Sequence, residues 1–282
     1  MKKIILLVCL FTVLFATAQT QDTLYVWKAG VLVHRQSLKP ADMDSITFKL
    51  PINRTGINIA GPNVTDIDGN TYQSVTNCGI TFTNKNLNVS RYSDGTPIPQ
   101  VQNESQWAKL NTGAWCYYNN DPSSEAVYGK LYNWYAAAGI YDAASLANPA
   151  LRKKLAPTGW RVPSDSEWSY LINCLDPKAD GGNTSNIAGG KMKARGTKRA
   201  GTSPWQDPNT AATNESGFTG LPEGYRNCFG TFNLFGKNGS WWSSAEYNTT
   251  SAWSRYLVYY NGYAARFSNS KRYGFSVRCL MD

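Results

Sequence analysis

Short words of bulky aromatics, glycine and arginine fill the last third of the chain, and no long periodic segment interrupts them. They run Asn238-Gly239-Ser240-Trp241-Trp242-Ser243-Ser244, then Trp253-Ser254-Arg255, then Gly274-Phe275-Ser276-Val277-Arg278-Cys279. The stretch from Gly159 to Trp168 (GWRVPSDSEW) has the same texture. Bursts at Ala252–Tyr260 and Ala264–Phe267 flank Asn261-Gly262, which predicts a hairpin with strands on both sides. Gly274 to Leu280 reads as a final strand. No repeat of fixed period is present, which argues against a solenoid or a propeller. The expected body is α+β: two short helices, a small twisted antiparallel sheet and long ordered loops.

The clearer helix begins at Ser164-Asp165-Ser166-Glu167. This is a capping box, in which Ser164 and Glu167 each satisfy a free backbone donor of the first turn. Trp168, Leu171, Ile172 and Leu175 then fall at i, i+3, i+4 and i+7, on one apolar face. Pro177 and Gly181-Gly182 end it. The second helix is expected over about Leu131–Ala138. There Leu131, Trp134, Tyr135 and Ala138 share a face, and Gly139 suits the left-handed closing position.

The beginning of the chain differs in character. Lys2 and Lys3 precede an apolar run, Ile4 to Phe15, and Ala16-Thr17-Ala18 gives a small-x-small cleavage site. Residues 1–18 are therefore expected to be a signal peptide, with the exported chain starting at Gln19. The run is too short to span a bilayer, and no later run approaches that length, so the mature chain is expected to lack a transmembrane segment. Cys9 lies inside the run rather than at its close, which argues against a lipoprotein. Residues 19–50 predict a short β segment. Leu24-Tyr25-Val26-Trp27 and Val31-Leu32-Val33-His34 flank Lys28-Ala29-Gly30 as a hairpin, and Ser45-Ile46-Thr47-Phe48 is a candidate third strand. Residues 51–63 read as a linker and 64–282 as the main domain.

The formal net charge is +9, and it falls to +7 when Lys2 and Lys3 leave, with 26 basic residues against 19 acidic ones. The densest basic stretch is Lys191 to Arg199 (KMKARGTKR), read as a solvated loop. Export and the lack of a recognised module argue against nucleic-acid binding. After the signal is removed, Cys78, Cys116, Cys174, Cys228 and Cys279 remain, an odd number in a chain bound for a disulfide-permissive compartment. With His34 the single histidine, a structural zinc site has few ligands to draw on.

These words resemble the Fibrobacter succinogenes major paralogous domain of exported bacterial proteins. The resemblance runs from about Val64 to Asp282 and rests on eight stretches. They are Asp66 to Tyr72 (DIDGNTY), Asn86-Leu87-Asn88, Tyr128 to Tyr135 (YGKLYNWY), Leu155 to Ser164 (LAPTGWRVPS), Ala212 to Phe218 (ATNESGF), Leu221 to Arg226 (LPEGYR), Trp241 to Ser244 (WWSS) and Gly274 to Cys279 (GFSVRC). A fainter likeness is to the formylglycine-generating enzyme family, through Arg161 to Trp168, Gly239 to Trp241 and Gly274 to Val277. Both families resemble variants of the C-type-lectin-like fold, in which long loops carry the binding surface. That likeness implies a disulfide from the capped helix to the last strand, Cys174 to Cys279. The hairpin at Leu24 to His34 resembles a leader of exported Bacteroidetes proteins.

No catalytic device can be assembled from these words. The formylglycine-generating family uses a cysteine pair after its Gly-Ser-Trp word, whereas here Trp242-Ser243-Ser244-Ala245 follows. His34 lies far from every domain motif, which removes a Ser-His-Asp arrangement. Glu167 is already used as a cap. Asp66-x-Asp68-Gly69-Asn70 has the oxygen density of a calcium loop, but its glycine comes too early and Asn77 stands where an EF-hand needs glutamate. It reads as a tight turn. The sugar-and-calcium words of C-type lectins are absent. The expectation is therefore no enzyme, no cofactor and no metal. The chain reads as an exported binding protein that recognises a glycan or a surface protein through loops. The expected ligand-binding residues are Asn214, Glu215, Tyr225, Arg226, Trp241, Trp242 and Glu246. At least one of Trp241 and Trp242 is expected in the core. The rival reading is an assembly component of a surface complex, and a degenerate enzyme comes third.

Overall fold

Trp241 and Trp242 are neighbours in sequence, and the strand Asn238–Glu246 sends them to opposite faces, as the pleat requires. Trp242 joins a core with Tyr132, Trp134, Trp160 and Phe275. Trp241 joins a second core with Phe82, Trp168, Trp205 and Phe218. The double tryptophan thus serves both sides of one strand, and both rings are fully buried.

The computed structural model of the protein describes residues 56–179, 184–185 and 187–282, together with the backbone of Asp22–Lys28 and Val31–Leu38. The chain divides into two units between Pro51 and Ile52. In the first, Asp22–Lys28 and Val31–Leu38 pair antiparallel, as the hairpin reading expects, with Asp22 opposite Leu38 and Lys28 opposite Val31. The signal-peptide region and the candidate strand Ser45–Phe48 lie outside the described residues.

The second unit is α+β, with short helices and several small antiparallel sheets. The strand Asn238–Glu246 pairs with Ser251–Val258, which pairs with Ala264–Ser270, which pairs with Thr184–Ser185. A second sheet has the order Trp160–Arg161, Leu280–Met281, Ile80–Thr83, Ser74–Asn77, Ile59–Ala60, all neighbours antiparallel. The beginning and end of the unit meet there. Ile59–Ala60, inside the stretch read as linker, is the edge strand of this sheet.

The final segment departs from the expected strand. Only Leu280–Met281 is a regular strand. Before it, Gly274, Phe275 and Ser276 bridge to Arg226, Tyr132 and Trp241 respectively, three different segments. A ladder needs one partner over successive residues, and this segment changes partner at each step. It is threaded through the middle of the domain.

The capped helix is Asp165–Leu175, and both halves of the capping box form: Glu167 donates its N–H to Ser164 Oγ at 3.3 Å, and Ser164 donates its N–H to Glu167 Oε2 at 2.7 Å. Trp168, Leu171, Ile172 and Leu175 are all buried. Ser164→Ala should lower stability by about 1 kcal/mol. A thermal melt checks it, and an unchanged midpoint would show that the cap carries no weight. The second expected helix is split. Leu131–Tyr132 pairs as a strand with Trp115–Cys116, and only Trp134–Ala137 is helical. The Asn133 side chain caps this turn by accepting from Ala136 N–H at 2.9 Å, so the helix cannot start earlier. Gly139 closes it at φ +75°, where a Cβ would run into the Lys153 carbonyl oxygen. Further helical turns at Glu104–Trp107, Glu125–Tyr128, Ala143–Ala147 and Ala188–Met192 are too short to show periodicity in sequence.

The disulfide joins Cys174 to Cys78, with Cα atoms 6.2 Å apart. The expected Cys174–Cys279 bridge does not form. Cys78 and Cys174 both belong to the Trp241 core, whereas Cys279 lies in the Trp242 core across the strand. Cys116, Cys228 and Cys279 are free.

Candidate functional site

The seven expected binding residues do not converge on one surface. Trp241, Trp242 and Arg226 are fully buried and offer a ligand nothing. Arg226 spreads its donors over three carbonyls: Val101 and Gln102 at 2.6 Å and Gly230 at 2.8 Å. Its guanidinium lies over the Trp107 and Phe232 rings at 4.5 and 4.9 Å. It clamps loops and is removed from the site. Asn214, at φ +50°, folds onto Thr219, accepting its N–H at 2.8 Å and donating to its hydroxyl at 3.0 Å. Tyr225 is half-buried against Tyr273 and Phe275. Glu215 is exposed beside Lys191 at 3.3 Å. Glu246 is exposed and paired with Lys271 at 2.9 Å. The glycine- and serine-rich word around Trp241 and Trp242 reads as a loop, yet it forms the strand Asn238–Glu246, which takes both rings inside and leaves Glu246 exposed at its end.

The acidic turn is explained by its own hydrogen bonds. Asp66 accepts from the N–H groups of Asp68 and Asn70 at 2.9 and 3.0 Å, from the Asn70 amide at 2.9 Å and from the Tyr72 hydroxyl at 2.5 Å. Those bonds fix a tight turn, as read. Among the described residues no group of three or more His, Cys, Asp or Glu side chains is placed to hold a metal ion.

A cleft of about 620 Å³ lies elsewhere. Tyr128 and Phe235 form one wall, and Lys198, Arg199, Gln206 and Asp207 contribute polar groups. The aromatic wall is built by packing. Phe235 meets Tyr128 edge-on with centroids 5.1 Å apart and rests on Tyr118 at 4.7 Å, yet remains 42% exposed. The polar wall is a turn held by its backbone. Lys198 N–H donates to the Trp205 carbonyl at 2.7 Å, and Gln206 N–H donates to the Gly236 carbonyl at 2.7 Å, which ties the two walls together. Trp205 is fully buried, and its indole N–H donates to the Gly220 carbonyl at 2.9 Å. The side chains of Lys198, Arg199, Gln206 and Asp207 are exposed. Neither Lys198 nor Arg199 has an acidic partner within salt-bridge distance among the described residues.

The titratable groups furthest from ordinary behaviour are away from this cleft. Burial pushes the Glu223 carboxyl up to about 8, against hydrogen bonds from Ser276 and Asn86 and the charge of Arg278. A perturbed carboxyl often marks a site, but Glu223 is fully buried in a polar cluster. Asn86 sits at its centre, donating to Glu223 Oε2 at 3.1 Å and to the Tyr128 carbonyl at 2.9 Å. Its Oδ1 accepts from Trp241 Nε1 at 2.9 Å and from Arg278 Nε at 2.7 Å. Arg278 also donates to the Thr83, Phe218 and Thr219 carbonyls, at 2.9, 2.8 and 3.1 Å. Words far apart in the chain are thus bonded to one another inside the domain. The family model of the Fibrobacter succinogenes major domain matches residues 78–281. The chain belongs to this family. No curated protein and no solved structure matches the chain.

Inside this Fibrobacter succinogenes major domain, the shared words build the scaffold, and the cleft is made mostly of residues outside them. Lys198 and Arg199 belong to the basic stretch that read as a solvated loop. Its members have separate fates. Lys191 pairs with Glu215. Lys193 is fully buried, donates to the Thr210, Val258 and Asn261 carbonyls at 2.8, 2.9 and 2.8 Å, and has its ammonium pushed down to about 8 by burial. Only the end of the stretch reaches the cleft. The density of basic residues along the stretch is visible in sequence, but the aromatic wall opposite comes from distant segments and has no local signal.

Proposed function

We propose that this is an exported recognition protein whose domain, a variant of the C-type-lectin-like fold, holds a glycan in the cleft between Phe235 and the 198–207 turn. The single observation that carries this is the half-exposed Phe235 ring facing exposed polar side chains, without ion-pair partners among the described residues, on a pre-braced turn. Sugars present apolar faces to aromatic rings and hydroxyls to directional polar groups. The cleft falls within the range of about 300–1,000 Å³ usual for small-ligand sites. Its lining includes one carboxylate, Asp207, and no cysteine, serine or histidine to pair with it, which supports binding over catalysis. The meeting of first and last strands in one sheet, with the long loops between them, supports the lectin-like assignment.

A glycan array with the full chain, with and without a calcium chelator, tests the reading. Binding is expected and should survive chelation. Phe235→Ala should weaken it by about tenfold or more. The ring is partly exposed, so the melting point should move little. An empty array, with a protein partner recovered instead, would overturn the glycan reading in favour of a surface-assembly role.

A further inference from the structure

We infer that the cleft selects an acidic saccharide, its carboxylate or sulfate set between Lys198 and Arg199 and its ring against Phe235. The inference rests on the glycan reading above and adds the charge of the ligand.

Three observations carry it. The first is what the fold does with its cations. Within Lys191–Arg199, Lys191 has Glu215 and Lys193 has three carbonyls, whereas Arg195, Lys198 and Arg199 are exposed without an acid partner among the described residues, and of these Lys198 and Arg199 line the cleft. Two like charges side by side on one turn repel each other, and an anion between them relieves that repulsion. The second is rigidity. The turn is closed by Lys198 N–H to Trp205 O at 2.7 Å, Gly201 N–H to Lys198 O at 3.0 Å and Thr202 N–H to Thr197 O at 3.2 Å. Buried Trp205 anchors it to the core. Cations on a fixed turn lose less freedom on binding than cations on a free loop. The third is the opposite wall. Phe235 and Tyr128 carry no charge, so the anion must sit at one end of the ligand and an apolar face at the other. A uronic acid or a sulfated sugar has that polarity, and a bare inorganic anion does not.

Asp207 fixes the sign of the test. It lines the same cleft and has no cationic partner among the described residues. It suits sugar hydroxyls, and it opposes an anion. Its removal and the removal of the cations should therefore act in opposite directions.

The experiment is calorimetric titration of the full chain with three probes: an oligogalacturonate, a sulfated oligosaccharide and a neutral oligosaccharide of equal length. The acidic probes should bind at least about tenfold more tightly than the neutral one, and added salt should narrow the gap. Whichever acidic probe binds better identifies the anion as carboxylate or sulfate. Lys198→Ala/Arg199→Ala should lose about tenfold or more for acidic probes and little for the neutral one. Asp207→Asn should tighten acidic binding by several-fold. These exposed residues are not part of the core, so the melting points should stay put. Equal binding of acidic and neutral probes, unchanged by the double variant, would overturn the charge assignment and leave the glycan reading standing. Acidic binding that ignores both the double variant and Phe235→Ala would place the site elsewhere and overturn the inference. Failure of all three probes would take both readings down. A sugar-free polyanion, polyglutamate, should bind weakly, and equal binding would reduce the cleft to a bare charged patch.

Discussion

Opening the Cys78–Cys174 bridge should cost the domain about 4–5 kcal/mol of stability, the loop-closure value for about a hundred residues. The bridge spans 96 residues of chain. It fastens the end of the capped helix to the turn between Ser74–Asn77 and Ile80–Thr83. The double variant Cys78→Ser/Cys174→Ser removes the cross-link without leaving a lone reactive thiol. Urea unfolding should show a lower midpoint and a steeper slope, because the unfolded chain without the cross-link exposes more surface. Adding reductant to the native protein should produce the same shift, and adding it to the double variant should produce none. Cys279 provides the contrast. It is fully buried in the other core, and burial pushes its thiol far above the usual range. It should resist alkylation until the domain unfolds. Recovery of a Cys174–Cys279 peptide from non-reduced digests would refute this map.

The bridge also shows where sequence reading stops. The capped helix was legible because its signals are local: a capping box and apolar spacing that both lie within Ser164–Leu175. The Asn261-Gly262 hairpin was legible for the same reason. The partner of Cys174 was not, because it depends on which side of the strand Asn238–Glu246 each cysteine falls. Analogy with other folds put Cys279 there, and the threading of Gly274–Ser276 through three partners put it on the far side. The candidate site failed in the same way. Arg226, Trp241 and Trp242 sit in conspicuous words, yet conspicuous residues here build the interior. Each of the buried indoles of Trp107, Trp134, Trp168, Trp205, Trp241 and Trp242 donates to an oxygen inside the domain. Buried cations do likewise with loop carbonyls. A fold with so much irregular backbone has many carbonyls to satisfy, and long side chains with several donors satisfy them economically. Several cations are therefore structural, while Lys198 and Arg199, at the end of one basic stretch, line the cleft.

Arg278 makes four hydrogen bonds inside the domain, and Arg278→Ala should destabilise it by about 3–5 kcal/mol through the buried acceptors left without a donor. The loss would take a donor from the Thr83, Phe218 and Thr219 carbonyls, leave Asn86 Oδ1 with Trp241 alone, and bare the Phe218 ring over which the guanidinium lies at 4.4 Å. The same cluster should also give the stability a pH signature. Burial raises the Glu223 carboxyl from an ordinary 4.5 to about 8. The folded state then holds this proton more tightly than the unfolded state does. The stabilisation is fully present below pH 4.5 and is lost as pH rises through about 8. Between those values the unfolding free energy should fall by at most about 1.4 kcal/mol per pH unit. Among the described residues, the other shifted carboxylates and cations act outside this window or at its edge. The paired carboxylates of Asp94, Asp165 and Glu167 are held below their ordinary range and titrate under it. Buried Lys193 and Arg278, pushed down to about 8 and about 9, act at its upper edge and beyond, with the opposite sign. Glu223→Gln keeps the shape of the neutral acid and cannot ionise. Urea unfolding at intervals from pH 5 to pH 8 should show a falling stability in the natural protein and a flatter profile in the variant. Matching slopes for the two proteins would mean that Glu223 ionises freely where it sits, and that Arg278 holds a charged partner rather than a neutral one.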